Sequence, residues 1–168
     1  CGVVALLLAG GFIQWIFADM RESTIRSRIG HVQLLHRGAV EGGPSDPFRH
    51  LLPVQAGRLQ ALAADPRVDL IGQRLAFSGL VSHGDTSLGF IGEGVEPDKE
   101  LALSRALQIV RGENLAADDP RGLVIGQGLA ANLGVKVGDT VVLLANSASG
   151  GINAVECRIR GIFTTISK

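Results

Sequence analysis

The stretch from Gly2 to Phe17, GVVALLLAGGFIQWIF, contains no charged residue, and Gln14 is its only strongly polar side chain. The chain changes character after this stretch, since all 16 basic and all 16 acidic residues lie from Asp19 onward. The run from Val3 to Phe17 would be about 22 Å long as a helix, at ~1.5 Å per residue. The run has 15 residues, fewer than the ~20 needed to cross a bilayer.

The chain begins at Cys1, not at an initiator methionine. We therefore expect residues 1–18 to be the C-terminal part of a transmembrane helix. Residues 19–29 continue at helical spacing and predict a stalk helix that ends near Gly30. Three other interpretations of the apolar stretch stay open: the apolar region of a signal peptide, a buried core helix, and a lipoprotein acylated on Cys1.

The composition excludes several classes of function. The net charge is zero, so the basic surplus of a nucleic-acid-binding protein is missing. Aromatic residues make up 4% of the chain and tyrosine is absent, which argues against a surface for stacking bases. Cys1 and Cys157 do not form a disulfide framework. The 23 glycines indicate many tight turns.

The rest of the chain alternates short strand and helix patterns without a regular βαβ rhythm. This predicts an α+β domain with a mixed sheet, as one domain or two small subdomains, in which the last two strands pair. The predicted strands are His31–His36, Val68–Val81, Ser87–Val95, Leu123–Ile125, Thr140–Ala145 and Ala154–Phe163. The predicted helices are Val54–Ala64, Gln127–Leu133, and a helix from Pro97 to Arg111-Gly112 striped by Leu103, Leu107 and Val110.

One motif has the form of a nucleotide site. Residues 125–131, IGQGLAA, fit G-x-G-x-x-A between a strand and a helix, the context of a dinucleotide fingerprint. The helix that follows has only about two turns, and no acidic residue ends a second strand about 20 residues further on. Both features count against a nucleotide site. A tight strand-to-helix corner that requires small residues explains the pattern, so we predict no cofactor-binding residues.

The remaining polar motifs do not form a convincing catalytic or metal site. Ser82, His83, Asp85 and Ser87 lie within a few residues on one turn, whereas a catalytic triad is assembled from distant segments. The histidines at positions 31, 36, 50 and 83 lack metal-ligand spacing. None of the lysines, at 99, 136 and 168, follows a glycine, so the chain has no Walker A loop. We predict no catalytic and no metal-binding residues.

Taken in order along the chain, several short segments resemble the extracytoplasmic core domain of MacB-like (FtsX-superfamily) ABC transporter permeases. After the apolar helix and stalk, these segments are GHVQ at 30–33, GVEP at 94–97, RGE at 111–113, Gly126 with Leu129-Ala130, LGVKVGDT at 133–140, INA at 152–154 and GIFT at 161–164. The resemblance departs from the family at Thr165, where relatives often have glycine.

The resemblance implies a topology and a set of partners. Residues 30–168 would be the extracytoplasmic domain of a permease in the bacterial inner membrane, facing the periplasm or cell exterior and followed by three more membrane helices. ATP would be hydrolysed on a cytoplasmic ABC ATPase subunit or domain. The permease would form a homo- or heterodimer, contact membrane lipid and in some relatives a periplasmic partner protein, and bind no cofactor.

The implied function is to couple ATP hydrolysis to export or extraction of a lipoprotein, a peptide or a hydrophobic small molecule. The domain itself would not be an enzyme. Two alternatives from other classes are a membrane-tethered binding or scaffold domain without transport, and a small α+β enzyme that binds a nucleotide at the Gly126 corner.

Overall fold

The computed structural model describes residues 2–25, 32–39, 47–53, 57–103 and 107–165. The apolar stretch forms helix α1, Gly2–Ile25, which is continuous over 24 residues. Its apolar part, Gly2–Arg21, has the length and composition of a membrane span. One helix thus includes the predicted membrane segment and the start of the predicted stalk, while residues 26–29 of the stalk lie outside the described residues.

The described part of the remaining chain contains three short helices and six strands in a single sheet. The helices are α2, Gly57–Ala63, α3, Pro97–Leu103, and α4, Gln127–Leu133. The strands are β1, Arg74–His83, β2, Thr86–Val95, β3, Leu107–Gly112, β4, Gly122–Gly126, β5, Thr140–Asn146, and β6, Ile152–Thr165. This confirms the predicted α+β class with a mixed sheet and short helices after an apolar helix.

Strand β6 is the centre of the sheet, whose order is β2-β1-β5-β6-β3, with β4 also paired to β6. The first half of β6 pairs antiparallel with β5, which confirms that the last two strands pair. Its second half pairs antiparallel with β3 and parallel with β4. Because residues 161–163 pair with both of these strands, β3 and β4 must lie on opposite edges of β6.

The core lies between the inner face of this sheet and helix α4. Val81, Val141 and Ile159, on three neighbouring strands, are each 1% exposed. Helix α4 adds Ala130 and Leu133, both buried, and contacts β2, β4 and β6. The sheet therefore curls around this helix, and burial of these aliphatic side chains is the main stabilising term of the domain.

The alternation along β6 breaks at one place. Ile159 and Ile162 are both buried although they are an odd number of residues apart. The pairing with β4 skips from Ile159 to Gly161, which leaves Arg160 as an extra residue. A side chain at Gly161 would collide with the backbone carbonyl oxygen of Glu113. Glycine is therefore what lets the chain after β3 approach β6 here.

Two predicted elements differ from the structure. The helix predicted from Pro97 to Gly112 ends at Leu103, and residues 107–112 form β3 instead. The antiparallel partner β6 decides this, because Ile109 and Val110 suit a strand once a partner is available. Residues 32–36 of the predicted first strand are not in a strand, and His31 lies outside the described residues.

The other helix and strand predictions hold with shifted ends. The strand predicted from Val68 begins at Arg74, and the helix predicted from Val54 is described from Gly57 onward. On β6, Cys157 and Ile159 face inward as predicted, but Val155, which was also predicted to face inward, is 43% exposed.

We expect Gly161→Ala to lower the free energy of unfolding by about 1–3 kcal/mol, the range for forcing an extra methyl group into a packed site. The matched control is Gly128→Ala, at a helical position where a methyl group would meet nothing within 4 Å. This control should stabilise the protein by about 0.5–1 kcal/mol. Urea unfolding in mild detergent, followed by circular dichroism, measures both. Equal effects of the two variants would contradict the close approach at β6.

Candidate functional site

The most exposed apolar surface of the described chain is helix α1. Side chains on every side of it are open to the surroundings, including Leu6 at 76%, Leu7 at 70% and Trp15 at 62%. The rings of Phe12 and Trp15 stack with centroids 6.2 Å apart, and no part of the apolar segment is buried against the domain. This disagrees with the alternative of a buried core helix. A helix that is apolar all round and uncovered by its own chain is suited to the hydrocarbon of a membrane.

The corner at Gly126, where β4 leads into α4, is explained by close packing of the chain and not by a ligand site. Gly126 precedes α4 with φ −64° and ψ 141°, an extended conformation that any residue adopts, and no side chain caps the helix. A methyl group at this position would lie 3.7 Å from the Phe163 ring. The cavity beside the corner, lined in part by Gln127 and Ile162, holds about 200 Å³. Small-molecule sites are usually ~300–1,000 Å³, so the corner is small for a dinucleotide.

The polar residues of the β1–β2 hairpin are held by strand pairing. Ser82 lies opposite Ser87, and their hydroxyl oxygens are 2.7 Å apart. Within the described chain no hydrogen bond connects His83 with either serine or with Asp85, and Gly84 makes the turn with φ 56°. The arrangement fixes the hairpin and does not align a nucleophile with a base.

Two histidines that the sequence spacing did not predict to be close, His36 and His50, lie together in the structure. The rings of His36 and His50 stack at 5.2 Å between centroids and 18° between planes. The Gly38 amide donates a hydrogen bond to His36 Nδ1 at 3.1 Å. His83 lies apart on the hairpin, and His31 lies outside the described residues. Over the described ranges, no three His, Cys, Asp or Glu side chains form a group suited to a metal ion.

A cluster of ion pairs on the outer face of β6 was not predicted. We call it the arginine clasp; it consists of Arg158 and Arg160 on β6 with Asp119 and Glu113 on the loop between β3 and β4. Arg158 Nη2 and Arg160 Nη1 both donate to Asp119 Oδ2, at 3.0 and 3.1 Å. Arg160 Nη2 also donates to Glu113 Oε2 at 2.9 Å, and its Nε donates to the Asn114 carbonyl oxygen at 3.2 Å.

The arginine clasp explains how the loop is held. Since β3 and β4 lie on opposite edges of β6, the loop at 113–121 must cross the face of that strand. Arg160, whose side chain is 19% exposed, is hydrogen-bonded to the loop at three residues. The only sequence signal was that Arg158 and Arg160 share the outward face of an alternating strand, which does not identify an acidic partner 39 residues away.

A second set of polar contacts fastens α3 to the start of β1. Arg74 pairs with Glu100 through two hydrogen bonds, at 2.8 and 3.1 Å. The Glu96 carboxylate accepts from the backbone amide of Gln73 at 3.0 Å and from Lys99 Nζ at 2.9 Å. The Lys99 ammonium first, and then the Gln73 amide, hold the pKa of Glu96 below its usual value. These contacts orient the helix against the start of β1.

Apolar residues also cross the outer face of the sheet. Gly89, Leu80, Leu144 and Ala154 lie side by side on β2, β1, β5 and β6. Leu80 is 48% exposed. Ile91, two residues after Gly89 on the same face of β2, is 78% exposed. Exposed apolar side chains that form a continuous surface are a common feature of contact sites between proteins.

The pKa of Asp119 lies below its usual value because Arg158, and then Arg160, donate hydrogen bonds to the ionised carboxylate. A lowered folded-state pKa stabilises the fold above the unfolded-state pKa of about 3.9. This stabilisation disappears as the pH falls through the folded-state pKa. We therefore expect Asp119→Asn to be less stable than the wild type at pH 7, with a difference that shrinks below about pH 4.

Thermal unfolding from pH 7 to pH 2.5 measures this difference. The control is Asp118→Asn, because Asp118 is an exposed neighbour that forms no ion pair in the described part of the chain. A stability difference for Asp119→Asn that stays constant down to pH 2.5 would show that the arginine clasp is not the cause.

Comparison with known families gives a match over the full sequence. The model of the family described as the MacB-like periplasmic core domain matches residues 1–168, the whole of the sequence. A search of curated proteins found no match.

Proposed function

The chain belongs to the family of MacB-like periplasmic core domains, and we propose that it couples ATP hydrolysis on a cytoplasmic ABC ATPase to export or extraction of a cargo. The cargo is a lipoprotein, a peptide or a hydrophobic small molecule, and the domain contributes no active site of its own. The family match over the full sequence carries this proposal, because the family is that of transporter permease domains. The exposed apolar helix α1 supports it independently, since a permease domain needs an anchor in the membrane.

The proposed arrangement places residues 1–18 in the inner membrane of a bacterium, residues 19–29 in a stalk and residues 30–168 in the extracytoplasmic domain. Two permease subunits form the dimer on which the ATPase acts. ATP-driven closure on the cytoplasmic side moves the membrane helices, and α1 passes this movement to the domain. Movement of packed bodies about an interface is a common means of such coupling.

The contacts within the domain are those expected of a rigid body. Its central strand is paired on both edges, the arginine clasp holds the loop between β3 and β4, and an ion pair holds α3 against β1. A sheet braced in this way transmits displacement with little internal deformation, because close-packed interiors have low compressibility. The small cavity at Gly126 gives no support to the alternative of a nucleotide-binding enzyme.

Co-expression of the full-length protein with a cytoplasmic ABC ATPase from the same organism tests the proposal. The ATPase should co-purify with the permease from membranes, and its turnover should rise when the two are reconstituted together. In the double variant Leu7→Arg/Leu8→Arg, both effects should be lost, because each arginine near the centre of a membrane helix costs about 2.5–3.5 kcal/mol of insertion free energy.

The matched control is Ile152→Arg, which puts the same charge on a side chain that is 78% exposed on the sheet. This control should retain both co-purification and stimulated turnover. Absence of both effects with the wild-type protein would contradict the proposed coupling and favour a tethered binding or scaffold domain that works without ATP.

A further inference from the structure

A cavity of about 200 Å³ lies between strand β3, strand β6 and helix α4. Gly126 does not line it, so the cavity is separate from the strand-to-helix corner. An engineered cavity of ~150 Å³ with an aliphatic lining binds benzene. The volume between β3 and α4 is therefore enough for one branched or aromatic side chain.

The inner wall of this cavity is apolar. Ala130, Val135 and Ile162 line it, and these residues are only 3%, 5% and 5% exposed. Val110 lies at the mouth and is 43% exposed. An apolar group that entered the cavity would cover this surface and leave water, which is favourable.

An irregularity in β3 places a cation at the mouth of the cavity. The pairing of β3 with β6 shifts between Ile109 and Arg111, which leaves Val110 as an extra residue beside Arg111. Bulges of this kind are frequent next to active sites, where they re-aim a side chain. Here both residues of the irregular pair, Val110 and Arg111, line the cavity.

The Arg111 side chain differs from the arginines of the arginine clasp. Arg158 and Arg160 are ion-paired within the domain. Arg111 is exposed, and within the described chain its guanidinium has no carboxylate partner and no hydrogen-bond acceptor. A guanidinium forms two parallel hydrogen bonds with a carboxylate more readily than any other side chain. The mouth of the cavity is therefore suited to a carboxylate from another molecule.

Gln127 is a further polar group at this mouth. It is exposed at the start of α4, and among the described residues its side chain has no hydrogen-bond partner. A carboxamide both donates and accepts hydrogen bonds, so it matches the N–H and C=O of a peptide group. The cavity thus combines an apolar interior, a cation and a carboxamide.

We propose that this cavity binds the C-terminal end of another polypeptide whose last residue is apolar. The apolar side chain fills the cavity, the terminal carboxylate pairs with Arg111, and the preceding peptide group hydrogen-bonds to Gln127. A small free acid of the same shape would leave Gln127 without a partner, so a chain end is the better match. The proposal does not depend on coupling to ATP hydrolysis.

Fluorescence anisotropy on the full-length protein in lipid nanodiscs tests this site. The probes are Gly-Gly-Leu and Gly-Gly-Phe with a fluorophore on the amino group, each prepared with a free carboxylate and with a C-terminal amide. At least one carboxylate probe should bind saturably and about tenfold more tightly than its amide, because the amide cannot form the charge-assisted bonds. Equal binding of carboxylate and amide, or no saturable binding of either carboxylate probe, would overturn the proposal.

Two substitutions with matched controls locate the binding. Arg111→Gln should weaken binding of the carboxylate probe about tenfold, whereas Arg121→Gln, at an exposed arginine outside the cavity, should not. Ala131→Phe should weaken it by at least about tenfold by filling the cavity. Its control is Asn132→Phe, at an exposed neighbour on α4 that does not line the cavity. Equal effects of each variant and its control would contradict the assignment.

Competition with isocaproate separates a chain end from a small acid. This acid has the apolar group and the carboxylate of leucine but no peptide group. Unlabelled acetyl-Gly-Gly-Leu should displace the probe at a concentration about tenfold lower than isocaproate. Displacement at equal concentrations would overturn the assignment to a chain end. Co-purification with the ATPase is unaffected by either result, so failure of this inference is distinguishable from failure of the proposed function.

Discussion

The described part of the domain depends on pairing along both edges of a single strand. Residues 161–163 of β6 bond β3 on one side and β4 on the other, while the first half of the strand bonds β5. In this arrangement the backbone carbonyl oxygen of Glu113 approaches β6 at a point that the side chain of residue 161 would otherwise occupy. Residue 161 is a glycine, so the approach is possible. It also forces the chain from β3 to β4 to cross the strand, and Arg160 holds that crossing against the sheet.

Helix α1 obeys a different constraint from the domain. The sheet buries Val81, Val141 and Ile159 against α4 and so satisfies its own apolar residues. Helix α1 has no such cover over Gly2–Arg21. The chain thus combines a helix suited to the apolar interior of a membrane with a sheet that buries its own apolar residues. Family membership and this division indicate a membrane-anchored protein whose domain lies outside the cytoplasm.

Local signals in the sequence were sufficient for the elements that depend on neighbours in the chain. The β1–β2 hairpin, helix α4 with its Gly134 cap, and the β5–β6 pair were predicted from turn residues and periodicity. Contacts between distant residues account for what was missed. Leu103, Leu107 and Val110 fit a helical stripe until β6 offers a partner, and the break at Arg160–Gly161 is set by Glu113, which β6 meets only after folding.

The same distinction applies to the candidate site. Residue spacing in the sequence led us to predict no metal or catalytic site, but it did not indicate the arginine clasp, which joins side chains 39 to 47 residues apart. The stacking of His36 on His50 is likewise a contact across a loop. Alternation placed Arg158 and Arg160 on one face of β6, but only the fold brings Asp119 to them.

The location of the domain relative to the membrane is the central claim, and site-directed thiol labelling measures it most directly. Ala148→Cys, at the exposed tip between β5 and β6, is placed in a Cys1→Ser background and treated with a membrane-impermeant maleimide in spheroplasts. The account predicts the same labelling before and after lysis, with the protein in the membrane fraction. Labelling that appears only after lysis, or recovery of the protein in the soluble fraction, would contradict it.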